Sequence, residues 1–310
     1  MNKFLALFFF FTILLQSCDD GDIIITTFNF DEAELKSCGT LGNYVFYKVN
    51  PEALESLSLK LGVTDSLYKT AETKNYVLNG TSNFVNYRTY NGVLGTTYFC
   101  SSIPPTSPTV TVDYLAAAGT AEFVTTFIYD DGDNVPTDRE LDTENADGDD
   151  NPYTNPKDTD GDGLPDIYDF DDDGDNVPTA RELDTENADG DDNPFTNPKD
   201  TDSDRIPDYL DPDDDEDGVL TRDEDRDGNL DPQDDVTDTS VGPDYLNNAV
   251  AINYEITEYR LHTYKIFKSV KITLKNLVLE NGEETITQET LLMGNIENVE
   301  TIDKTKKPVF

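Results

Sequence analysis

Hydrophobic and polar residues alternate with a period of two at both ends of the chain. Val45, Tyr47 and Val49 alternate with Phe46 and Lys48, while Leu57, Leu59, Leu61 and Val63 alternate with Ser58, Lys60 and Gly62. This spacing sends successive side chains to opposite faces and predicts strands with one buried face. Toward the C-terminus Val270, Ile272 and Leu274 alternate with Lys271, Thr273 and Lys275, and Leu277 and Leu279 follow. Asn91-Gly92 and Asn281-Gly282 stand between such runs, and Asn-Gly suits the left-handed positions of a tight hairpin. Asn50-Pro51-Glu52 satisfies the rules for a helix start, but alternation resumes at Leu57, so any helix there is short. The fold class read from this pattern is mainly β, with antiparallel β-sheet modules in residues 18–128 and 239–310. They are either two domains or one structure split by the segment between them. The second, of about 70 residues, is marginal alone, which favours packing it on the first.

That middle segment, residues 129–238, has no strand period. Residues 131–172 and 173–214 align without gaps as two 42-residue copies differing at eight positions, and a third, truncated copy starts at Asp215. Self-similarity of this kind sets the architecture of the segment. Residues 130–238 hold 43 Asp and Glu against 7 Lys and Arg, which is −36 of the formal charge of −43. A surface this negative argues against nucleic acid as a partner.

Inside the repeats, carboxylates recur at every second position and again further along. A twelve-residue calcium loop supplies oxygens from positions one, three, five, seven, nine and twelve, the seventh through a backbone carbonyl. Its sixth residue must tolerate a left-handed turn. Four windows fit. The first has Asp158, Asp160, Asp162, Asp166 and Asp169, with Gly163 at the turn and the Leu164 carbonyl. The second has Asp171, Asp173, Asp175, Thr179 and Glu182, with Asn176 at the turn and the Val177 carbonyl. The third has Asp213, Asp215, Asp217, Thr221 and Glu224, with Gly218 and the Val219 carbonyl. The fourth has Asp223, Asp225, Asp227, Asp231 and Asp234, with Gly228 and the Asn229 carbonyl. Two windows are degraded. Asp200, Asp202, Asp204, Asp208 and Asp211 keep their carboxylates, but Arg205 stands at the turn. In the other, Tyr129 takes the first position, leaving Asp131, Asp133, Thr137 and Glu140. Residues 145–151 and 187–193 are ligand-rich without matching the template. The cofactor expected is Ca²⁺, roughly four to six ions, held most strongly at 158–182 and 213–234.

These loops are not paired EF-hands, because Pro165, Pro178, Pro194, Pro207 and Pro212 break the helices that motif requires. Asp158-Thr-Asp-Gly-Asp-Gly-Leu-Pro-Asp166-Ile-Tyr-Asp169 resembles the thrombospondin type 3 repeat, as does its twin from Asp200 to Asp211. The resemblance covers about a third of the chain. It implies a string of calcium ions as the core, backbone wrapped around it, few apolar contacts, and the matching Asp residues as ligands. The 42-residue period departs from that family. Electrostatics points the same way: five carboxylates about 5 Å apart repel by roughly 8 kcal/mol in total even at the dielectric of water. The loops are therefore expected to close only around a cation. The competing reading is a solvated, disordered acidic linker. Against it stand Gly or Asn at position six and the shared register of Leu164, Val177, Ile206 and Val219.

Residues 1–17 read as a secretory signal, with Lys3 before an apolar run, Phe4 to Leu15, too short to anchor in a bilayer. Leu15-Gln16-Ser17-Cys18 resembles the lipobox of bacterial lipoproteins, which implies a lipid on Cys18 and a membrane partner. Asp19-Asp20 resembles the surface-export signals of some Gram-negative lipoproteins, which implies the cell surface of the outer membrane. In that oxidising setting Cys38 and Cys100 are expected to form a disulfide, the alternative being two buried thiols. The lone histidine, His262, is expected on a strand surface. Phe84, Tyr87 and Tyr90 are expected in a strand core, with sugar stacking as the alternative. No motif singles out a catalytic residue, so an enzyme is not expected. The expectation is a calcium-binding cell-envelope lipoprotein whose array is a rigid spacer for adhesion or contact with a protein or glycan. The alternative is an accessory or substrate-binding subunit of an envelope enzyme or uptake complex.

Overall fold

The computed structural model describes residues 28–103, 105–141, 155–183, 190 and 193–310. Cys18, the signal segment, residues 145–151 and most of 187–193 lie outside them. The architecture is mainly β. Eight strands form one antiparallel sheet: β1 (Lys36–Cys38), β2 (Tyr44–Asn50), β3 (Glu55–Leu61), β4 (Thr73–Val77), β5 (Asn83–Tyr90), β6 (Val110–Asp130), β7 (His262–Glu280) and β8 (Thr285–Lys306). Their order is β1-β2-β3-β5-β6-β7-β8, with β4 paired to β6 beyond the end of β5. The two β segments are thus joined: Phe123 of β6 pairs with Ile272 of β7 in a ladder running from Leu115 to Asp130.

One core serves both segments. Phe46, Leu57, Leu59, Leu61, Val85 and Tyr87 from the N-terminal strands pack with Val270, Ile272, Leu274, Leu277 and Leu279 from β7. Fully burying side chains of this size stabilises by about 1.5–3 kcal/mol each. The spacing from Leu274 to Leu277 breaks the period of two, yet both are buried. Asn276 sits at φ +52, opposite a register shift in β6 around Gly119. Gly119 has φ +121, and a Cβ there would lie 2.9 Å from the carbonyl oxygens of Lys275 and Asn276. This bulge re-phases the strand and bends the sheet. The sheet curls far enough that Leu35, just before β1, packs on Gly294 of β8, leaving it nearly a closed barrel.

Other local features differ from the pattern. In β2, Phe46 rather than Tyr47 enters the core, while Tyr47 stacks on Phe99 at 4.5 Å beneath the 91–109 loop. Both faces of β2 are therefore covered. The disulfide Cys38–Cys100 holds that loop down. Asn91-Gly92 does not make a two-residue hairpin; it opens this long loop, closed by the Asn91 N–H donating to the Thr109 carbonyl. Asn281-Gly282 does turn a hairpin, with Glu280 paired to Thr285. Asn50 starts no helix. Its side chain accepts the N–H groups of Glu52 and Ala53 and closes the β2–β3 turn.

The acidic array leaves the sheet at Asp130 and returns at His262, and Asp130 pairs with Lys265. Both of its ends therefore lie at one end of two neighbouring strands. The array is an insertion in the sheet and does not hold two modules apart.

Candidate metal centres

Each acidic loop is shaped by backbone that turns left-handed twice. Positions four and six have positive φ in five of the windows: Gly132 and Asn134, Gly161 and Gly163, Gly174 and Asn176, Ser203 and Arg205, and Glu216 and Gly218. The first carboxylate of a loop then caps the turn. Asp158 accepts the N–H groups of Gly161 and Gly163, and Asp171 those of Asp175 and Asn176. Position five accepts the N–H two residues on, as Asp162 does from Leu164 at 2.6 Å and Asp175 from Val177 at 2.6 Å. The remaining carboxylate oxygens converge. Several groups among the described residues bring their ligand atoms within 4.8 Å of one another, including Asp131, Asp133 and Glu140; Asp158, Asp160 and Asp162; Asp173, Asp175, Glu182 and Asp214; Asp200, Asp202 and Asp204; and Asp213, Asp215 and Asp217.

The group of four has the strongest claim to an ion. Asp173, Asp175, Glu182 and Asp214 are 4%, 0%, 1% and 1% exposed. Seven of their eight carboxylate oxygens have no hydrogen-bond partner, the exception being Asp175 Oδ1, which accepts from Val177. Burying bare carboxylates costs several kcal/mol each unless a cation or a proton compensates. The metal-free fold responds with protons: burial, then the charges of neighbouring carboxylates, pushes Asp173 and Glu182 well up. The same causes raise Asp169 to about 10, and Glu140 and Glu224 to about 9. Groups of this kind could hold metal ions, and a hard divalent cation taking six to eight oxygens matches the donors.

Position nine serves the backbone. Asp166 turns both oxygens to Thr159, accepting from its N–H and its hydroxyl at 2.8 Å, and lies 3.3 Å from Lys157 Nζ. Asp208 does the same with Thr201 and Lys199. Thr179 and Thr221 accept the N–H groups of Asp172 and Asp214 through Oγ1. In each case residue nine closes the loop onto residue two, because that N–H would otherwise be buried without a partner. Among the carbonyl donors, Leu164, Val177 and Val219 have buried side chains, whereas Ile206 of the Arg205 loop is 45% exposed.

The fourth window is displaced by two residues. Positive φ falls at Gly228 and Leu230, and Asp225 accepts the N–H groups of Gly228, Asn229 and Leu230. Asp225 is therefore the capping residue, Asp227 the third position and Asn229 the fifth. Asp223 instead receives the returning chain, accepting from Ile256 N and Asn253 Nδ2. Asp231 precedes a 3-10 turn (Pro232–Asp234), and Asp234 accepts from Asn229 Nδ2. In the first window Tyr129 packs on Tyr168 at 4.8 Å, and Thr137 donates to the Tyr129 carbonyl. Asp211 accepts the Asp213 N–H.

His262 is not on the surface. It is 1% exposed, its Nδ1 is 2.5 Å from Asp169 Oδ1, and Phe170 packs on its ring. Burial, with the charges of Arg260 and Lys306, lowers it to about 4. Tyr87 and Tyr90 are buried, and Phe84 lies under Lys60. Sequence reasoning also missed Asp214, and a further loop copy at 236–247. There Asp244 accepts from the Thr237 N–H and hydroxyl, as Asp208 does from Thr201. The signal was present: Pro243-Asp244-Tyr245-Leu246 repeats Pro207-Asp208-Tyr209-Leu210. No family model, curated protein or solved structure matches the chain. Among the described residues, no helix is long and apolar enough to cross a membrane.

Proposed function

We propose that the protein is a calcium-binding lipoprotein of the cell envelope, whose array becomes a rigid lobe for adhesion or partner contact when its ions are bound. The observation that carries the reading is the set of seven unpartnered, buried oxygens on Asp173, Asp175, Glu182 and Asp214. Calcium is favoured over Mg²⁺ because irregular, carboxylate-rich loops suit its flexible coordination, whereas Mg²⁺ demands an octahedron and keeps its waters. Extracellular modules bind calcium at roughly 10⁻⁴ to 10⁻³ M, so the sites would be filled outside a cell. A lipid on Cys18 would hold the chain on the outer membrane.

The insertion of the array between β6 and β7 changes the spacer idea. The lobe projects from one end of the sheet, and its outer surface is what a protein or glycan would meet. Limited proteolysis tests the reading: cleavage within 130–247 should be fast in EDTA and suppressed on adding calcium, while the sheet resists in both. Equal cleavage with and without calcium would remove the basis for it.

A further inference from the structure

We propose that buried ions of the array crosslink acidic loops one 42-residue period apart, each completed by an aspartate from the later loop, so that neighbouring sites fill cooperatively. This rests on the calcium reading above. Asp173, Asp175 and Glu182 lie in the loop 171–182, whereas Asp214 is the second residue of the equivalent loop one period on, 213–224. It nevertheless joins the same 4.8 Å group. Both of its carboxylate oxygens are buried without a hydrogen-bond partner. Its backbone is fixed by the N–H donated to Thr221 Oγ1, so the side chain is held in place from its own loop.

One period earlier the chain holds a counterpart of the bridging aspartate. Asp172 is the counterpart of Asp214, and its N–H is held by Thr179 as that of Asp214 is by Thr221. It is 3% exposed, with Oδ1 unpartnered. Asp214 joins one group while its neighbours Asp213 and Asp215, with Asp217, form another. An ion at either site therefore orders the segment that supplies the other, which is positive coupling through a shared element.

Calcium titration of the full chain by calorimetry tests this, comparing wild type with Asp214→Asn, Asp172→Asn and Asp138→Asn. Asp138 is exposed and outside the groups named above, so it controls for lost charge. Wild type should titrate steeply, with a Hill coefficient above one. Asp214→Asn and Asp172→Asn should each weaken at least one site tenfold or remove one ion per chain, and flatten the curve; Asp138→Asn should match wild type. Far-ultraviolet circular dichroism should show the sheet intact in all four. If Asp214→Asn and Asp172→Asn bind as Asp138→Asn does, the crosslink is wrong while calcium binding stands. If wild type binds no calcium, the calcium reading fails and the crosslink with it.

Discussion

At the scale of single residues, the array is governed by where carboxylates can put their charge. Asp160 and Asp215 rise to about 7, Glu224 to about 9 and Asp169 to about 10, chiefly through burial. Each folded value lies above that of the open chain, so the compact metal-free form binds more protons than the open form. Its stability is therefore greatest below the ordinary carboxylate range near 4 and falls as pH rises toward these values. Bound calcium would reverse the trend, because it needs the carboxylates ionised. In EDTA the array should accordingly be protected from protease at pH 4 and cleaved at pH 7.5, whereas calcium protection should strengthen with pH. Cleavage in EDTA that ignores pH would contradict this. Residue identity disclosed the ligands at positions one, three and five because only spacing is needed. It could not disclose Asp214, whose partners lie in another loop, nor the burial of His262 at the first residue of β7.

At the scale of elements, the windows that start at Asp158, Asp171, Asp200 and Asp213 share one unit, a doubly left-handed loop stapled from residue nine to residue two. Arg205 adopts φ +89 at a position where Gly stands in the sister loop, a conformation costing a non-glycine residue about 1–2 kcal/mol. The register of the fourth loop was illegible because Asp223, Asp225 and Asp227 are chemically identical starting points. Only the backbone at Gly228 and Leu230 decides between them. The staple was also invisible, since a Thr or Asp at position nine reads equally well as a ligand. Replacing Thr221 by Val keeps its shape but strands the buried Asp214 N–H. The calcium-loaded array should lose about 1–3 kcal/mol, read as a lower urea midpoint for the array. An unchanged midpoint would mean that Thr221 is not a staple.

At the scale of the molecule, strand content was legible from alternation, but the joining of the two β segments was not. Pairing of β6 with β7 spans 131 intervening residues (131–261), and nothing local in either strand names its partner. The bulge at Gly119 and Asn276 likewise hides the phase change that buries both Leu274 and Leu277. The array also docks back on the sheet. Lys306 donates to the Gly163 carbonyl, Arg260 to the Asn176 carbonyl, and Phe310 packs on Tyr259 and Arg222. The lobe is thus held at its root by contacts that need the loops closed. The central claim is that calcium closes them. Small-angle scattering of the full chain in EDTA, followed by calcium add-back, measures this most directly. The radius of gyration should be larger in EDTA and contract on add-back, with the strand signal unchanged; superimposable curves would contradict the account.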